Sequence, residues 1–197
     1  MNLIAKCMNG LRKFSRKEDG SGIVEFVLMF PLLCWALLAT ASYFHAFRSE
    51  AIATKTTLTL ADMVSRETDY ITPTYLNNVR ELLEFLSVSD VTPDYRLTVI
   101  RWNGEKGEYR IRWSRERGRE SQLKNADLVA LTDQLPILSA GQNVLLFETW
   151  TDYVPQFDYN LGLGEFQFKN FVVMSPRFST QICWNSDADL DPAKAKC

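Results

Sequence analysis

One long apolar segment constrains this chain of 197 residues more than any other feature of its sequence. From Phe26 to Phe47, 22 consecutive residues include no Asp, Glu, Lys or Arg. At about 1.5 Å per residue, a helix of that length extends about 33 Å, enough to cross a hydrocarbon core of about 30 Å. The segment therefore predicts a single transmembrane helix. Glu25 directly precedes it, and an ionisable side chain at the edge of such a segment is a candidate functional residue.

The charges on the two sides of this segment predict its orientation. Residues 1–20 carry five basic and two acidic side chains, a net charge of +3, whereas residues 48–197 carry 17 basic and 21 acidic side chains, a net charge of −4. The positive-inside rule then places the N-terminus in the cytoplasm and residues 48–197 on the opposite side of the membrane. An acidic domain argues against nucleic acid as the main partner, because such binding depends on neutralising phosphates.

The junction before the apolar segment carries a sequence pattern. From Gly20 it runs GSGIVEFVLMFPLL, with a basic leader before the glycine and with Glu25 and Phe26 five and six residues after it. This arrangement resembles a class III, type IV prepilin-like signal, and within that class it is similar to the TadE-like group of the tight-adherence (Tad/Flp) pilus system. The resemblance covers about residues 16–66. It includes Pro31, which we expect to kink the helix, as prolines do in this part of pilin-like subunits.

The resemblance implies a processing site and a role for the glutamate. In that family a peptidase at the cytoplasmic face cuts after the glycine, so residues 1–20 would be removed between Gly20 and Ser21. Glu25 would then be the fifth residue of the mature chain. Its carboxylate would pair with the new amine of another subunit, which neutralises two charges in the membrane and sets the axial register between subunits.

The family also implies a function. We expect a minor pseudopilin, a non-catalytic assembly component of a bacterial Tad-type (Flp) pilus, held in the inner membrane by a single pass with its C-terminal domain in the periplasm. Its partners would be other pilin-like subunits, membrane proteins of the Tad secretion machinery and, transiently, the prepilin peptidase. A minor component is favoured because the major Flp pilins are far shorter and almost entirely helical. The alternative is a signal-anchored periplasmic binding or scaffold domain without a role in a pilus.

A secretory signal is another interpretation of the same segment. Residues 39–41 read Ala-Thr-Ala, an A-x-A pattern behind a 13-residue apolar stretch, and cleavage there would release a soluble domain that begins at Ser42. Against this interpretation, the leader is longer than 20 residues and contains Glu18 and Asp19 near its end. The apolar sequence also continues beyond the A-x-A pattern to Phe47.

Two helices and about four strands are predicted beyond the membrane segment. The first helix continues to about residue 66, with Ile52, Thr56, Thr59 and Met63 on one apolar stripe and with Ala53, Leu60 and Val64 beside it. Thr72 can cap a second helix, Pro73 suits its first turn, and its apolar face consists of Leu76, Val79, Leu83 and Leu86.

Alternation with a period of two predicts the strands. It starts at Tyr95, breaks at a turn over residues 103–107 and resumes to Trp113, which indicates a β-hairpin. Two more strands are predicted over residues 143–154 and 166–174, and a last short one over residues 182–184. Residues 48–197 are therefore expected to form an α+β periplasmic domain with an antiparallel sheet of about four strands.

The four cysteines differ in their expected surroundings. Cys7 lies in the leader and Cys34 in the apolar segment, whereas Cys183 and Cys197 lie in the exported part of the chain. In an oxidising periplasm the latter two would form a disulfide. Two free thiols near the C-terminus are the alternative.

No catalytic, metal or cofactor site is predicted. His45 is the only histidine, so neither a Ser-His-Asp triad nor a two-histidine metal site can be assembled, and no glycine-rich phosphate loop precedes a helix. We therefore expect no enzymatic activity, no cofactor and no small-molecule ligand.

Arginines and aromatic residues are concentrated in the second half of the chain. Arginines cluster in and after the hairpin, at positions Arg96, Arg101, Arg110, Arg112, Arg115, Arg117 and Arg119. We expect them to lie on the solvated face of a twisted edge strand, with a partner-binding patch as the alternative. The aromatic residues from 147 to 171 belong mostly to the core, but their density also suggests an exposed contact surface.

Overall fold

One helix of 45 residues, α1, begins at Ser21 and ends at Ser65. The structure is a computed structural model that describes residues 21–87, 91–155, 166–187 and 190–197. The chain divides into two units, Met1–His45 and Ala46–Cys197, and the boundary falls inside α1. The second unit is called the head below.

The head is α+β. After the last part of α1 its elements are α2 (Pro73–Ser87), β1 (Asp94–Asn103), β2 (Glu108–Arg117), the short α3 (Leu128–Leu131), a 3-10 turn (Thr132–Gln134), β3 (Asn143–Tyr153), β4 (Phe166–Met174) and a second 3-10 turn (Pro192–Lys194). The four strands form one antiparallel sheet in the order β2-β1-β3-β4. The predicted fold class, the hairpin and the number of strands in the sheet are confirmed.

Helix α2 begins as the sequence predicts. The Tyr75 N–H donates to the Thr72 hydroxyl oxygen at 3.1 Å, and Pro73 occupies the first helical position, where no N–H is needed. Three of the four predicted apolar residues are buried and the fourth is partly buried: Leu76, Val79, Leu83 and Leu86. The cap and the apolar stripe together place α2 against the core.

The head covers only part of the predicted stripe of α1. Among residues 53–65, Ala53, Thr56, Leu60 and Val64 are buried as predicted, together with Thr57, Ala61 and Ser65. Thr59 is exposed, and Ile52 and Met63 are only partly buried. The difference arises because short side chains let the helix lie close to the sheet, where the buried hydroxyls of Thr57 and Thr149 share a hydrogen bond of 2.7 Å. A hydroxyl that finds a partner in the core can be buried at little cost.

The sheet has a hydrophobic core on each face. On the helix side, residues of α1 and α2 pack against Tyr95, Leu97, Val99, Trp113, Leu145 and Phe147. On the other side, Ile100, Val144 and Leu146 are covered by leucines of the segment 118–142, called the cover segment below: Leu123, Leu128, Leu135 and Leu138. Both faces of the central strands β1 and β3 are therefore buried over part of their length.

The C-terminal segment closes the helix-side core. The Trp113 indole N–H donates to the Ile182 carbonyl at 2.8 Å, and Trp184 forms isolated bridges with Ile71 and Lys196. Residues 182–184 therefore do not form the predicted short strand, and Trp184 makes only these two isolated bridges. Cys183 and Cys197, 14 positions apart, form the disulfide favoured by the sequence.

Loss of this disulfide is expected to destabilise the head. Closing a loop of about 15 residues contributes about 3 kcal/mol in the chain-entropy model, so a double variant with Cys183→Ser and Cys197→Ser should lose about that much free energy of unfolding. Urea unfolding of the full chain in detergent, followed by tryptophan fluorescence, measures the loss. Cys34→Ser, outside the head, is the matched control and should leave the midpoint unchanged. An equal midpoint for wild type with and without reductant would contradict the prediction.

Candidate assembly site on helix α1

The described part of the first unit, residues 21–45, is an exposed apolar helix. Its large apolar side chains are between 41% and 70% exposed: Ile23, Val24, Phe26, Val27, Leu28, Met29, Phe30, Leu32, Leu33, Trp35, Leu37, Leu38, Tyr43 and Phe44. Burial of one such side chain lowers the free energy by about 1.5–3 kcal/mol. Contact of this surface with lipid or with other helices is therefore favourable. The helix is long and apolar enough to cross a membrane, with a mean hydropathy of 2.2 in its most apolar window. By length and composition it is a candidate membrane anchor.

Two polar side chains in this unit are satisfied by the helix itself. The Thr40 hydroxyl donates to the Ala36 carbonyl at 2.8 Å, and the Ser42 hydroxyl donates to the Leu38 carbonyl at 2.9 Å. Such bonds to the preceding turn leave no hydroxyl in need of water. They suit a helix in apolar surroundings, where an unsatisfied polar group is costly.

The Glu25 carboxylate is exposed near the beginning of this helix. Ser21 is the first residue of α1, and Glu25 lies in its second turn, about 6 Å farther along the axis. Phe26 and Phe30 follow on one face, with their ring centroids 5.3 Å apart. An accessible carboxylate beside an exposed apolar surface can pair with a cation that another chain supplies. Gly20, on the other side of the predicted cleavage site, lies outside the described residues.

Pro31 lies inside α1, with helical residues on both sides. Because proline has no N–H, it donates no helix bond to the carbonyl of Val27, four residues before it. The kink expected here stays a prediction. Cys34 follows in the same turn and is the free cysteine of the described residues.

The sheet face covered by residues 118–142 contains a buried ion pair that was not predicted. The Arg96 Nε donates to the Glu148 Oε2 at 2.6 Å, and the two side chains are 10% and 1% exposed. Arg96 also donates to the Ser121 carbonyl at 2.8 Å, and its guanidinium lies 5.2 Å from the centroid of the Trp150 ring. Arg96 therefore connects β1, β3 and the cover segment. The available signal was Glu148 itself, an acid inside the apolar run VLLFETW, because a buried charge needs a partner.

A second ionic cluster lies where the cover segment begins. The nearly buried Asp94 carboxylate accepts a hydrogen bond from the Arg119 Nε at 3.0 Å and lies 3.6 Å from the Arg80 guanidinium. Arg119 also donates to Asp152 at 2.6 Å. The hydrogen bond from Gln167, and then the one from Arg119, hold the pKa of Asp152 below its usual value. The cluster fixes the end of β2 beside β1 and β3.

The expectation of a solvated arginine face is wrong for three of the seven predicted residues. Besides the buried Arg96, Arg115 is partly buried and places its guanidinium 4.6 Å from the centroid of the Trp184 ring, and burial lowers its pKa. Arg117 donates to the Asn77 side chain at 2.7 Å. The physical reason is that guanidinium groups near the core find acceptors and aromatic faces within the head. Arg101, Arg110, Arg112 and Arg119 are exposed as expected, although Arg119 also pairs with Asp94 and Asp152.

The aromatic residues of β3 and β4 are divided between the core and one strand end. Phe147 and Trp150 are buried. Tyr153, Phe166 and Phe168 form a cluster with centroid distances of 5.0–5.7 Å, in which Phe166 is 40% exposed. The exposed aromatic contact surface stays a prediction, since Phe157 and Tyr159 lie outside the described residues.

Within the described ranges, no group of three or more His, Cys, Asp or Glu side chains is placed to hold a metal ion. Two other features of the described residues are candidates for a functional site. One is the exposed apolar surface of α1 with the Glu25 carboxylate, and the other is the set of charged side chains of the head. Comparisons of the chain with protein-family models, with curated proteins and with solved structures found no match.

Proposed function

We propose that this chain is a TadE-like minor pseudopilin, a non-catalytic, membrane-anchored component that supports assembly of a bacterial Tad-type (Flp) pilus. The observation that carries the proposal is the exposed Glu25 carboxylate in the second turn of α1. The residues after it are apolar and exposed, and the last part of the same helix is buried in the head. One helix therefore supplies a charge, a surface for lateral contacts and a last part that belongs to a folded domain.

The proposed mechanism is structural. Removal of residues 1–20 leaves an amine on Ser21, and this amine meets Glu25 of a neighbouring subunit within the membrane. Each charge alone is costly in lipid, and their pairing offsets that cost. Because Glu25 lies about 6 Å along the helix axis from Ser21, pairing staggers neighbouring subunits by about that distance. The apolar surfaces of the two helices then pack side by side.

The proposed location is the bacterial inner membrane, with the N-terminus in the cytoplasm and the head in the periplasm. The excess of basic residues before the helix supports this orientation. The disulfide between Cys183 and Cys197 supports an oxidising compartment for the head. The partners in this proposal are other pilin-like subunits, membrane proteins of the Tad machinery and a prepilin peptidase. A signal-anchored periplasmic binding or scaffold domain is the alternative, and in that case Glu25 has no partner chain.

A single bulky change at the proposed cleavage site tests the processing step. Gly20→Val should leave residues 1–20 attached, because the peptidase fits closely around the backbone at the bond it cuts. Gly22→Val is the matched control, since a Cβ at Gly22 meets no atom within 4 Å, and this variant should still be cut. Electrophoretic mobility and N-terminal sequencing of both variants from the native host give the result. Equal processing of the two variants would contradict the proposed site.

A further inference from the structure

Three arginines line one pocket near the tip of the β1–β2 hairpin. The pocket has a volume of about 720 Å³, and its basic lining consists of Arg101, Arg110 and Arg112. The remaining wall includes Ala140 and Gly141 of the cover segment. All three arginines are exposed, so their guanidinium groups are accessible from solution.

Two of these arginines lie side by side on the adjacent strands β1 and β2. Arg101 and Arg110 are register partners in the β1–β2 ladder, so their side chains leave the same face with Cβ atoms about 5 Å apart. Like charges placed directly opposite destabilise a sheet. Glu108 offsets part of this repulsion through an ion pair of 2.7 Å with Arg110, but both partners are about half exposed, and such pairs contribute little. The remaining repulsion between the two guanidinium groups favours the binding of an additional anion beside them.

A β-bulge adds the third arginine. The register shifts between Val99 and Ile100, so that Ile100 pairs with Ile111 and Arg112 has no partner residue in β1. Bulges redirect side chains and often occur beside binding sites. The Arg112 Nε donates to the backbone oxygen of Cys197, which holds the guanidinium at the pocket while its other N–H groups remain as donors.

The position of the pocket bears on what could occupy it. Arg101 pairs with Asn143, at the start of β3, whereas Thr149, six residues farther along β3, contacts Thr57 of α1. The pocket therefore lies beside the start of β3, six residues along that strand from its contact with α1. Its three exposed guanidinium groups are accessible there to an occupant from solution.

We propose that this pocket binds the carboxylates of an acidic peptide segment of a partner protein. Guanidinium groups recognise carboxylates through two parallel N–H···O bonds, and three of them at one pocket can hold successive Asp or Glu side chains. Glu105 also lines the pocket and opposes an anion there. The proposal does not depend on a pilus role, and it applies equally to the alternative of an anchored binding domain.

Calorimetric titration of the full chain in nanodiscs of zwitterionic lipid tests the proposal. The probe is a peptide of six glutamates at low salt, with inorganic phosphate titrated separately. Arg101→Gln and Arg112→Gln should each weaken peptide binding about tenfold, the loss expected for a charge-assisted hydrogen bond. Lys106→Gln is the matched control, because it removes the same charge from the same hairpin outside the pocket lining. It should change the affinity less than about twofold, and Glu105→Gln should raise it.

Two outcomes would overturn the proposal. The first is that the wild-type chain does not bind the peptide, and if phosphate binds in that case, the pocket is assigned to a phosphate group. The second is an equal loss for Lys106→Gln and Arg101→Gln, which would show general charge attraction instead of a site. Thermal unfolding of each variant separates lost binding from lost structure, and Arg101→Gln leaves the contact of Arg112 with Cys197 intact.

Discussion

Replacement of Glu148 by Ala is expected to lower the free energy of unfolding of the head by about 3–5 kcal/mol. The side chain of Glu148 is only 1% exposed, and that of its partner Arg96 is 10% exposed. Without the carboxylate the guanidinium stays in the core with the Ser121 carbonyl as its remaining acceptor. A buried charge without its counter-ion is far more costly than the pair is favourable, so one deletion has a large effect. Urea unfolding in detergent, followed by the fluorescence of the tryptophans, most of which lie in the head, measures it.

Two comparisons separate this effect from a simple loss of side-chain volume. The double replacement Arg96→Met with Glu148→Leu removes both charges and should recover most of the stability, because buried ion pairs can be exchanged for apolar residues at little cost. Glu108→Ala deletes the acid of the exposed pair with Arg110 and should cost less than about 1 kcal/mol. A Glu148→Ala variant within about 1 kcal/mol of wild type would show that the pair is not what holds β1, β3 and the cover segment together.

Glu25→Gln is expected to abolish assembly without affecting the amount of protein in the membrane. The change removes a charge beside an apolar helix, so insertion becomes easier by up to a few kcal/mol. Cleavage after Gly20 should continue, because the bond that is cut lies five residues away. Crosslinks to other pilin-like subunits, from a photoreactive residue in place of the exposed Leu33, should fall at least tenfold because the neighbouring amine loses its counter-ion.

The matched control for this variant is Glu50→Gln. Glu50 is an exposed acid on the same helix but belongs to the head, and its replacement should leave crosslinking and piliation at wild-type levels. If a Glu25→Gln protein is processed, crosslinks and supports pili as well as wild type, Glu25 has no role in assembly and only marks the interface between lipid and water. The signal-anchored domain without a pilus role would then be the better account.

The elements with local signals were predictable from the sequence. The alternation around the turn at residues 103–107 identified β1 and β2, and Thr72 with Pro73 identified the start of α2. The buried stripe of α1 was predicted in part, because Ala53, Leu60 and Val64 were identified but Thr57 was not. The burial of Thr57 depends on a hydrogen bond with the hydroxyl of Thr149, 92 positions farther along the chain. No local pattern carries that information.

The electrostatic features depended on contacts between distant segments. Alternation shows that Arg96 and Leu97 lie on opposite faces of β1, but it does not show that the cover segment buries the face with Arg96. The arginine pocket depends on the register of the hairpin and on the bulge at Arg112, neither of which the sequence reveals. Glu25, by contrast, was identified by its position beside an uninterrupted apolar segment, which is a local property.

The intact mass of the mature protein, purified from whole cells and culture medium of its native host, tests the central claim most directly. The account predicts a chain that has lost residues 1–20, begins with Ser21 and contains one disulfide. Loss of residues 1–41 would contradict it and indicate a secreted domain that begins at Ser42. A mass that includes all 197 residues would also contradict it, because without a new amine at Ser21 the carboxylate of Glu25 has no partner of the proposed kind.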